Sequence, residues 1–178
     1  MKELFISVDI EAAGPFPPTY SMLSLGAAVV ANSQLTFYVE IKPVSDEFVP
    51  DAMKVVGRTL EDFARVGRDP KEAMTAFREW LQTVAKDHKP VFVGFNATFD
   101  WAFVNFYFHK YLGENPFGFG GLDIKSYYMG MTGCAWEDTR SSHIAKEFKS
   151  PSPHTHQALD DAIEQGEMFR RMQEKSSR

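Results

Sequence analysis

The chain has 178 residues, of which 44% are hydrophobic and 24% charged, and its formal net charge is -5 at pH 7. This length suits a single domain that buries its own core, and the composition excludes a disordered chain. The acidic balance argues against a broad cationic surface for nucleic acid. Any nucleic acid must therefore be held locally, for example at bound divalent cations.

The cysteine content and the N-terminus bear on location. Cys134 is the only cysteine, so no intrachain disulfide can form, and we expect a cytoplasmic protein. The N-terminal apolar run is short and meets Asp9 and Glu11, which suits neither a signal peptide nor a membrane span. We expect no contact with a membrane, one domain over residues 1–174 and a loose tail over 175–178.

Three strands are predicted at the beginning of the chain. Over residues 3–10, the run LFISVDI places apolar residues on both faces, which indicates a strand buried within a covered sheet. The apolar runs LSLGAAVV and LTFYVEIK follow, separated by the segment from Ala31 to Gln34, whose polar members favour a turn. This pattern predicts a hairpin.

A helix, a strand and a second helix are predicted next. The first helix runs from Asp69 to about Ala85, because Asp-Pro opens it and apolar residues follow at helical spacing. A short buried strand covers residues 91–95. The apolar, aromatic segment after Asp100 then predicts a helix that ends near Gly113.

The segment over residues 113–152 has the least regular pattern. It contains a candidate short strand at LDIK and a candidate helix around HIAKEF. Thr155 is a candidate N-cap for a final helix that runs to about Met172. Three strands, a helix, a strand, a helix and a closing helix together predict an α/β domain with a mixed sheet.

Two carboxylates stand at the end of the first predicted strand. Asp9 and Glu11 are two positions apart, so their side chains project from the same face of that strand. Like charges this close repel each other unless one is protonated or a cation lies between them, and hard divalent ions prefer oxygen ligands. The alternative is a solvated strand end.

A third carboxylate lies where the second buried strand gives way to a helix. Asp100 occupies this junction, and ligand sites of α/β sheets collect at strand ends. The alternative is an acidic residue that only stabilises the helix N-terminus. Asn96, in the same turn, either caps the turn or reaches a substrate.

The closing helix offers two candidate acids, Asp160 and Asp161. At about 100° per residue, Asp161 falls on the stripe of Ala158, Ala162 and Phe169, whereas Asp160 falls away from it. We therefore predict that Asp161 points inward. The small alanine side chains allow the helix to approach the sheet and bring this carboxylate beside the strand acids.

His156 precedes Asp161 by five positions and cannot share its helical face if both residues are helical. We expect it on the entry turn. A histidine with a pKa near about 6.5 can accept a proton from an attacking water at neutral pH. The alternative is a surface histidine without a catalytic role.

These residues lie in three ordered motifs that resemble those of the DEDDh, or DnaQ-like, 3'-5' exonucleases. VDIEAAG carries Asp9 and Glu11, GFNATFD carries Asp100, and HQALDDA carries His156 and Asp161. The resemblance extends over nearly the whole chain. It implies a ribonuclease H-like fold, with a mixed central β-sheet of about five strands flanked by helices.

The resemblance also implies a mechanism. The four carboxylates would hold two divalent metal ions, Mg2+ or Mn2+, one activating the attacking water and the other stabilising the departing 3' oxygen. His156 would be the general base. The substrate would be single-stranded or short DNA or RNA with a free 3'-hydroxyl end, and the product a nucleoside 5'-monophosphate.

The resemblance implies four substrate contacts, and Asn96, left open above, is a fifth candidate. The backbone of Ala12 would contact the terminal nucleotide, and Met22 and Leu23 would form a wedge between the terminal bases. Phe99 would lie beside the terminal base, and Asn96 would reach the substrate from the same turn.

Two other functions stay open on the sequence alone. One is a module of modest activity that mainly binds a partner, as a proofreading subunit binds its polymerase. The other is a phosphodiesterase that acts on small nucleotides with the same metal site. Relatives of this size also suggest a homodimer.

Overall fold

The computed structural model describes residues 2–148 and 157–176. Within them the strands are β1 (Glu3–Ala12), β2 (Met22–Val29), β3 (Asn32–Glu40), β4 (Lys89–Gly94) and β5 (Gly121–Asp123). The helices are α1 (Pro50–Val56), α2 (Leu60–Val66), α3 (Pro70–Ala85), α4 (Thr98–Leu112), α5 (Ile124–Thr132), α6 (Ser141–Phe148) and α7 (Ala158–Ser176). A 3-10 helix covers Trp136–Thr139.

The strands form one mixed sheet in the order β3-β2-β1-β4-β5. β1, β2 and β3 pair antiparallel, whereas β1 pairs with β4, and β4 with β5, in parallel. The predicted α/β class, mixed sheet and hairpin are therefore confirmed. The hairpin turn lies at Val30 and Ala31, earlier than predicted, because Asn32 already pairs with Val29.

The two central helices were predicted correctly, and their ends show why. Asp69 caps α3 by accepting hydrogen bonds from the backbone N–H groups of Lys71 and Glu72. Gly113 ends α4 in the left-handed region, with a φ of 78°. Glycine adopts this conformation without a steric penalty, which makes it a strong stop signal.

Three short helices were not predicted. α1 and α2 have seven residues each, and so short a stretch gives little helical periodicity to detect. α5 begins at Ile124, within the segment predicted as a strand at LDIK. Only Gly121–Asp123 is extended there, because the Asp123 carboxylate accepts the Ser126 N–H and starts a helix.

The C-terminal helix extends further than predicted. α7 continues to Ser176, and Lys175 forms an ion pair with Glu147 of α6. Residues 175 and 176 are therefore helical rather than a loose tail. The predicted N-cap, Thr155, lies outside the described residues.

Alternate residues of the central strands face two different layers. Ile6, Val8 and Ile10 of β1 belong to a core cluster shared with α3 and α4. On the opposite face, Ser7 lies against Gly166 of α7. The period of two along β1 thus separates an apolar face from a face that carries polar groups.

Among the described helices, none is long and apolar enough to cross a membrane.

Candidate active site

Three carboxylates meet where β1 ends beneath the first turns of α7. Asp9 and Glu11 come from β1 and Asp161 from α7, and one oxygen of each lies within 4.8 Å of the others. Asp161 is buried, with 5% of its surface exposed, while Asp160 is half-buried. The predicted inward placement of Asp161 is confirmed.

Gly26 allows α7 to approach the sheet this closely. It pairs with Asp9 across the β1–β2 ladder, and a Cβ atom at this position would lie 2.3 Å from the backbone carbonyl of Ala158. A second close approach occurs at Gly166, where a Cβ would lie 3.0 Å from Ser7. Because glycine has no side chain at either contact, the start of α7 rests directly on the strands.

Asp100 lies beside this group, on the first turn of α4. Its carboxylate is buried, and Oδ1 accepts a hydrogen bond from the Ile10 N–H at 3.0 Å. Ile10 lies between the two β1 acids in sequence. The bond therefore holds Asp100 at the end of β1, close enough for its charge to raise the pKa of Asp9.

Burial and like charges disfavour the ionised forms of these acids. Burial, followed by the charges of Asp100, Glu11 and Asp161, holds the pKa of Asp9 well above its usual range. Burial and then the charge of Asp161 raise the pKa of Glu11 to about 7. A cation between the carboxylates would remove this penalty.

The Asp100 carboxyl behaves in the same way. Burial raises its pKa to about 8, although the hydrogen bonds from the Ile10 N–H and its own backbone N–H oppose the shift. The charges of Glu11 and Asp123 make smaller contributions to the same rise. Four carboxylates gathered at one place offer the oxygen ligands that a hard divalent cation such as Mg2+ or Mn2+ prefers.

Gln165 belongs to this region, and sequence reasoning missed it. Its side-chain amide joins α7 to β1 and to the residue that follows β4, by a bond to the Val8 carbonyl at 2.9 Å and one from the Phe95 N–H at 2.5 Å. It lies four residues after Asp161, on the same helical stripe. A polar residue on an otherwise apolar stripe was the available signal.

Two of the predicted substrate contacts, Asn96 and Phe99, are at least partly exposed. Asn96 is exposed and adopts a left-handed backbone conformation with a φ of 61°. Phe99 is half-buried and packs edge-on against Phe103, with ring centroids 5.4 Å apart. Both residues lie in the turn and first helical residues that lead to Asp100.

The predicted wedge is not accessible. Met22 and Leu23 are fully buried, because Met22 is in the aromatic core cluster and Leu23 packs with Ala13 and Phe63. Neither side chain offers a surface on which a base could stack. Ala12 is also buried, which leaves only the predicted backbone contact at that position.

His156 lies outside the described residues. Its predicted role as a general base therefore stays a prediction.

A cleft of about 380 Å³ opens beside the carboxylates. Its lining includes Asp9, Asp161 and Gln165, together with Ser141 and Ser142 of α6. A larger cleft of about 780 Å³ lies between the 43–50 segment and helices α1 and α2. Its described lining includes none of the four acids, so we assign the chemistry to the smaller cleft.

The sequence is similar to those of known proteins. The profile of the RNase T exonuclease family matches residues 6–169. The 3'-5' DNA exonuclease Cap18 of Escherichia coli is 52% identical over 170 residues, which are 95% of this chain and 91% of that relative.

Solved structures share the fold. The nuclease domain of 3'hExo, a DEDDh family member bound to rAMP, superposes with a TM-score of 0.80 and 14% identity, over 98% of this chain and 93% of that one. Escherichia coli Exonuclease I, in complex with a dA16 oligonucleotide, gives a TM-score of 0.73 and 17% identity. That match covers 98% of this chain and 42% of Exonuclease I.

Proposed function

The chain belongs to the RNase T exonuclease family and is a 3'-5' exonuclease of the DEDDh type, and we propose that it shortens single-stranded or short DNA. The observation that carries the proposal is the group of three carboxylates within 4.8 Å, with Asp100 held beside it. The choice of DNA rests on the relative with 52% identity, which is named as a DNA exonuclease.

Asp9, Glu11, Asp100 and Asp161 would hold the divalent ions, which we propose to be Mg2+ or Mn2+. Bound ions of this kind supply an activated water and neutralise negative charge on the departing 3' oxygen. The oxygen-only donor set and the raised pKa values of Asp9, Glu11 and Asp100 support this assignment.

The remaining site residues would position the substrate and move a proton. His156 would accept the proton of the attacking water. Asn96 and the backbone of Ala12 would contact the terminal nucleotide, and Phe99 would pack beside its base. The products would be nucleoside 5'-monophosphates. The buried Met22 and Leu23 have no place in this scheme.

The test is the shortening of 5'-labelled oligonucleotides by the purified protein. With Mg2+ or Mn2+, we expect a ladder of shorter products from single-stranded DNA with a free 3'-hydroxyl, and no ladder in excess chelator. Oligonucleotides with a blocked 3' end are the matched control and should stay intact. Single-stranded DNA that survives long incubation with either metal would contradict the proposal.

The same assay separates the alternatives. Faster cleavage of single-stranded RNA would change the substrate class, and cleavage restricted to dinucleotides would favour a small-nucleotide phosphodiesterase. Activity that appears only with an added protein would favour the partner-binding module. The homodimer and the cytoplasmic location stay predictions, which sedimentation and cell fractionation would test.

A further inference from the structure

The carboxylates lie where two neighbouring parallel strands separate. The ladder between β1 and β4 runs from Glu3 paired with Lys89 to Ser7 paired with Val93. Beyond this point β4 ends at Gly94, while β1 continues to Ala12. The backbone groups at the point of separation need partners other than the neighbouring strand.

Side chains supply those partners. Asp100 accepts the Ile10 N–H at 3.0 Å. The Gln165 amide makes two further hydrogen bonds to the backbone. Its Nε2 donates to the Val8 carbonyl at 2.9 Å, and its Oε1 accepts the Phe95 N–H at 2.5 Å. Only 6% of Gln165 is exposed, so water cannot easily replace either bond.

Gln165 and both of its hydrogen-bond partners lie close in sequence to an acid of the site. Val8 immediately precedes Asp9 on β1. Phe95 immediately precedes the turn that leads into α4, which carries Asp100. Gln165 itself lies about one helical turn after Asp161. One amide therefore connects α7 and β1, which bear three of the acids, to the segment that leads into α4 and Asp100.

We propose that Gln165 is a positioning residue that sets the spacing of Asp9, Asp100 and Asp161, and with it the affinity of the site for divalent ions. This inference rests on the proposed function above. A side-chain amide has both a donor and an acceptor on one rigid group, which these two opposite bonds require. Groups that orient metal ligands typically change metal affinity about 10- to 100-fold when they are replaced.

The test is Gln165→Met, which keeps an unbranched side chain of similar length and removes both hydrogen bonds. We expect the affinity for Mn2+, measured from the free-ion signal by electron paramagnetic resonance, to fall about 10- to 100-fold. At saturating Mn2+, the KM for single-stranded DNA should stay within about twofold while kcat falls, because the proposed contacts at Ala12, Asn96 and Phe99 are unchanged.

Ser7→Ala is the matched control. Ser7 is also buried between β1 and α7, and its hydroxyl has no hydrogen-bond partner among the described residues. Its removal should leave Mn2+ affinity unchanged. If Gln165→Met does not fold, Gln165→Asn retains an amide that is too short to join both strands, and the same loss of affinity is expected.

The outcomes separate the two proposals. Folded Gln165 variants that bind Mn2+ as tightly as the wild type, or that lose only thermal stability, would overturn the positioning role. A wild-type protein that neither binds Mn2+ nor shortens DNA would instead overturn the proposed function.

Discussion

The two faces of the sheet differ in how closely their helices pack against the strands. On the α3 and α4 face, large aromatic rings fill the space between layers, and Phe77 lies 5.1 Å from Phe37 and 5.5 Å from Phe108 between ring centroids. On the α7 face, Gly26 and Gly166 leave no side chain between helix and strand at their two contacts, and Phe169 packs in a second apolar cluster further along α7. The first arrangement holds a helix away from the sheet, and the second brings it into contact.

The difference shows where stability and chemistry reside. The aromatic face buries apolar surface, which is the main favourable contribution to folding. The α7 face gathers Asp9, Glu11 and Asp161, where burial and then like charges raise the pKa of Asp9 and Glu11. Four changes would break or sharpen this division.

The largest effect is expected for Asp9→Asn. Loss of this carboxylate should lower kcat/KM by about three orders of magnitude, since bound metal ions contribute several kcal/mol to the transition state. The metal-free variant should also melt above the wild type, because one repelling charge is gone. Asp51→Asn, at an exposed side chain, should change neither quantity. A variant that keeps wild-type activity would contradict the site assignment.

On the aromatic face, a substitution should cost a comparable free energy, but the loss should appear in stability and not in activity. Phe77 is fully buried, and Phe77→Ala should reduce the free energy of unfolding by about 3 to 5 kcal/mol. Activity should persist at temperatures where the variant is folded, because Asp9, Glu11 and Asp161 lie on the other face of the sheet. Asp100 belongs to α4, but the Ile10 N–H holds it at the end of β1. Phe119→Ala, at a ring that is 97% exposed, is the control. Urea denaturation measures both variants.

Gly26→Ala should lower stability and activity together. The added methyl group would meet the α7 backbone, so the helix must shift, at a cost of about 1 to 3 kcal/mol. Asp161 should move with it, and activity should fall together with stability. Gly130→Ala is the control, because it lies in α5 with open space around it. Unchanged activity in a folded Gly26→Ala protein would contradict the role of this contact.

The fourth change is one of pH, applied to the metal-free protein. The pKa values of Glu11 and Asp100 rise from 4.5 to about 7 and from 3.8 to about 8 on folding, so the folded state binds more protons than the unfolded chain in between. Stability should therefore fall as pH rises from about 5 to about 8. Saturating Mg2+ should weaken this trend. Melting curves in chelator that rise with pH over this window would contradict it.

Much of this fold could be predicted because its strong signals are local. The periodicity of α3, the left-handed glycine after α4 and the inward stripe of Asp161 depend on neighbours within a few residues. α5 was missed because one side-chain contact, from Asp123 to Ser126, decides between strand and helix. The seven-residue helices α1 and α2 are too short for a clear pattern.

The site was harder to complete, because its supporting contacts join distant parts of the chain. Gln165 bonds to Val8, and Ile10 to Asp100, across long sequence separations. The burial of Met22 and Leu23 likewise depends on layers formed by later segments. Motif positions predict which acids meet, but they carry no information on the groups that hold those acids apart.

The most direct test of the account compares two adjacent acids on α7. Mn2+ binding should be measured by titration for Asp161→Asn and Asp160→Asn, with nuclease activity recorded in parallel. We predict that Asp161→Asn loses at least one bound ion and nearly all activity. Asp160→Asn should retain the Mn2+ binding and the activity of the wild type. Equal Mn2+ binding and activity in the two variants would contradict the claim that the close approach of α7 builds the metal site.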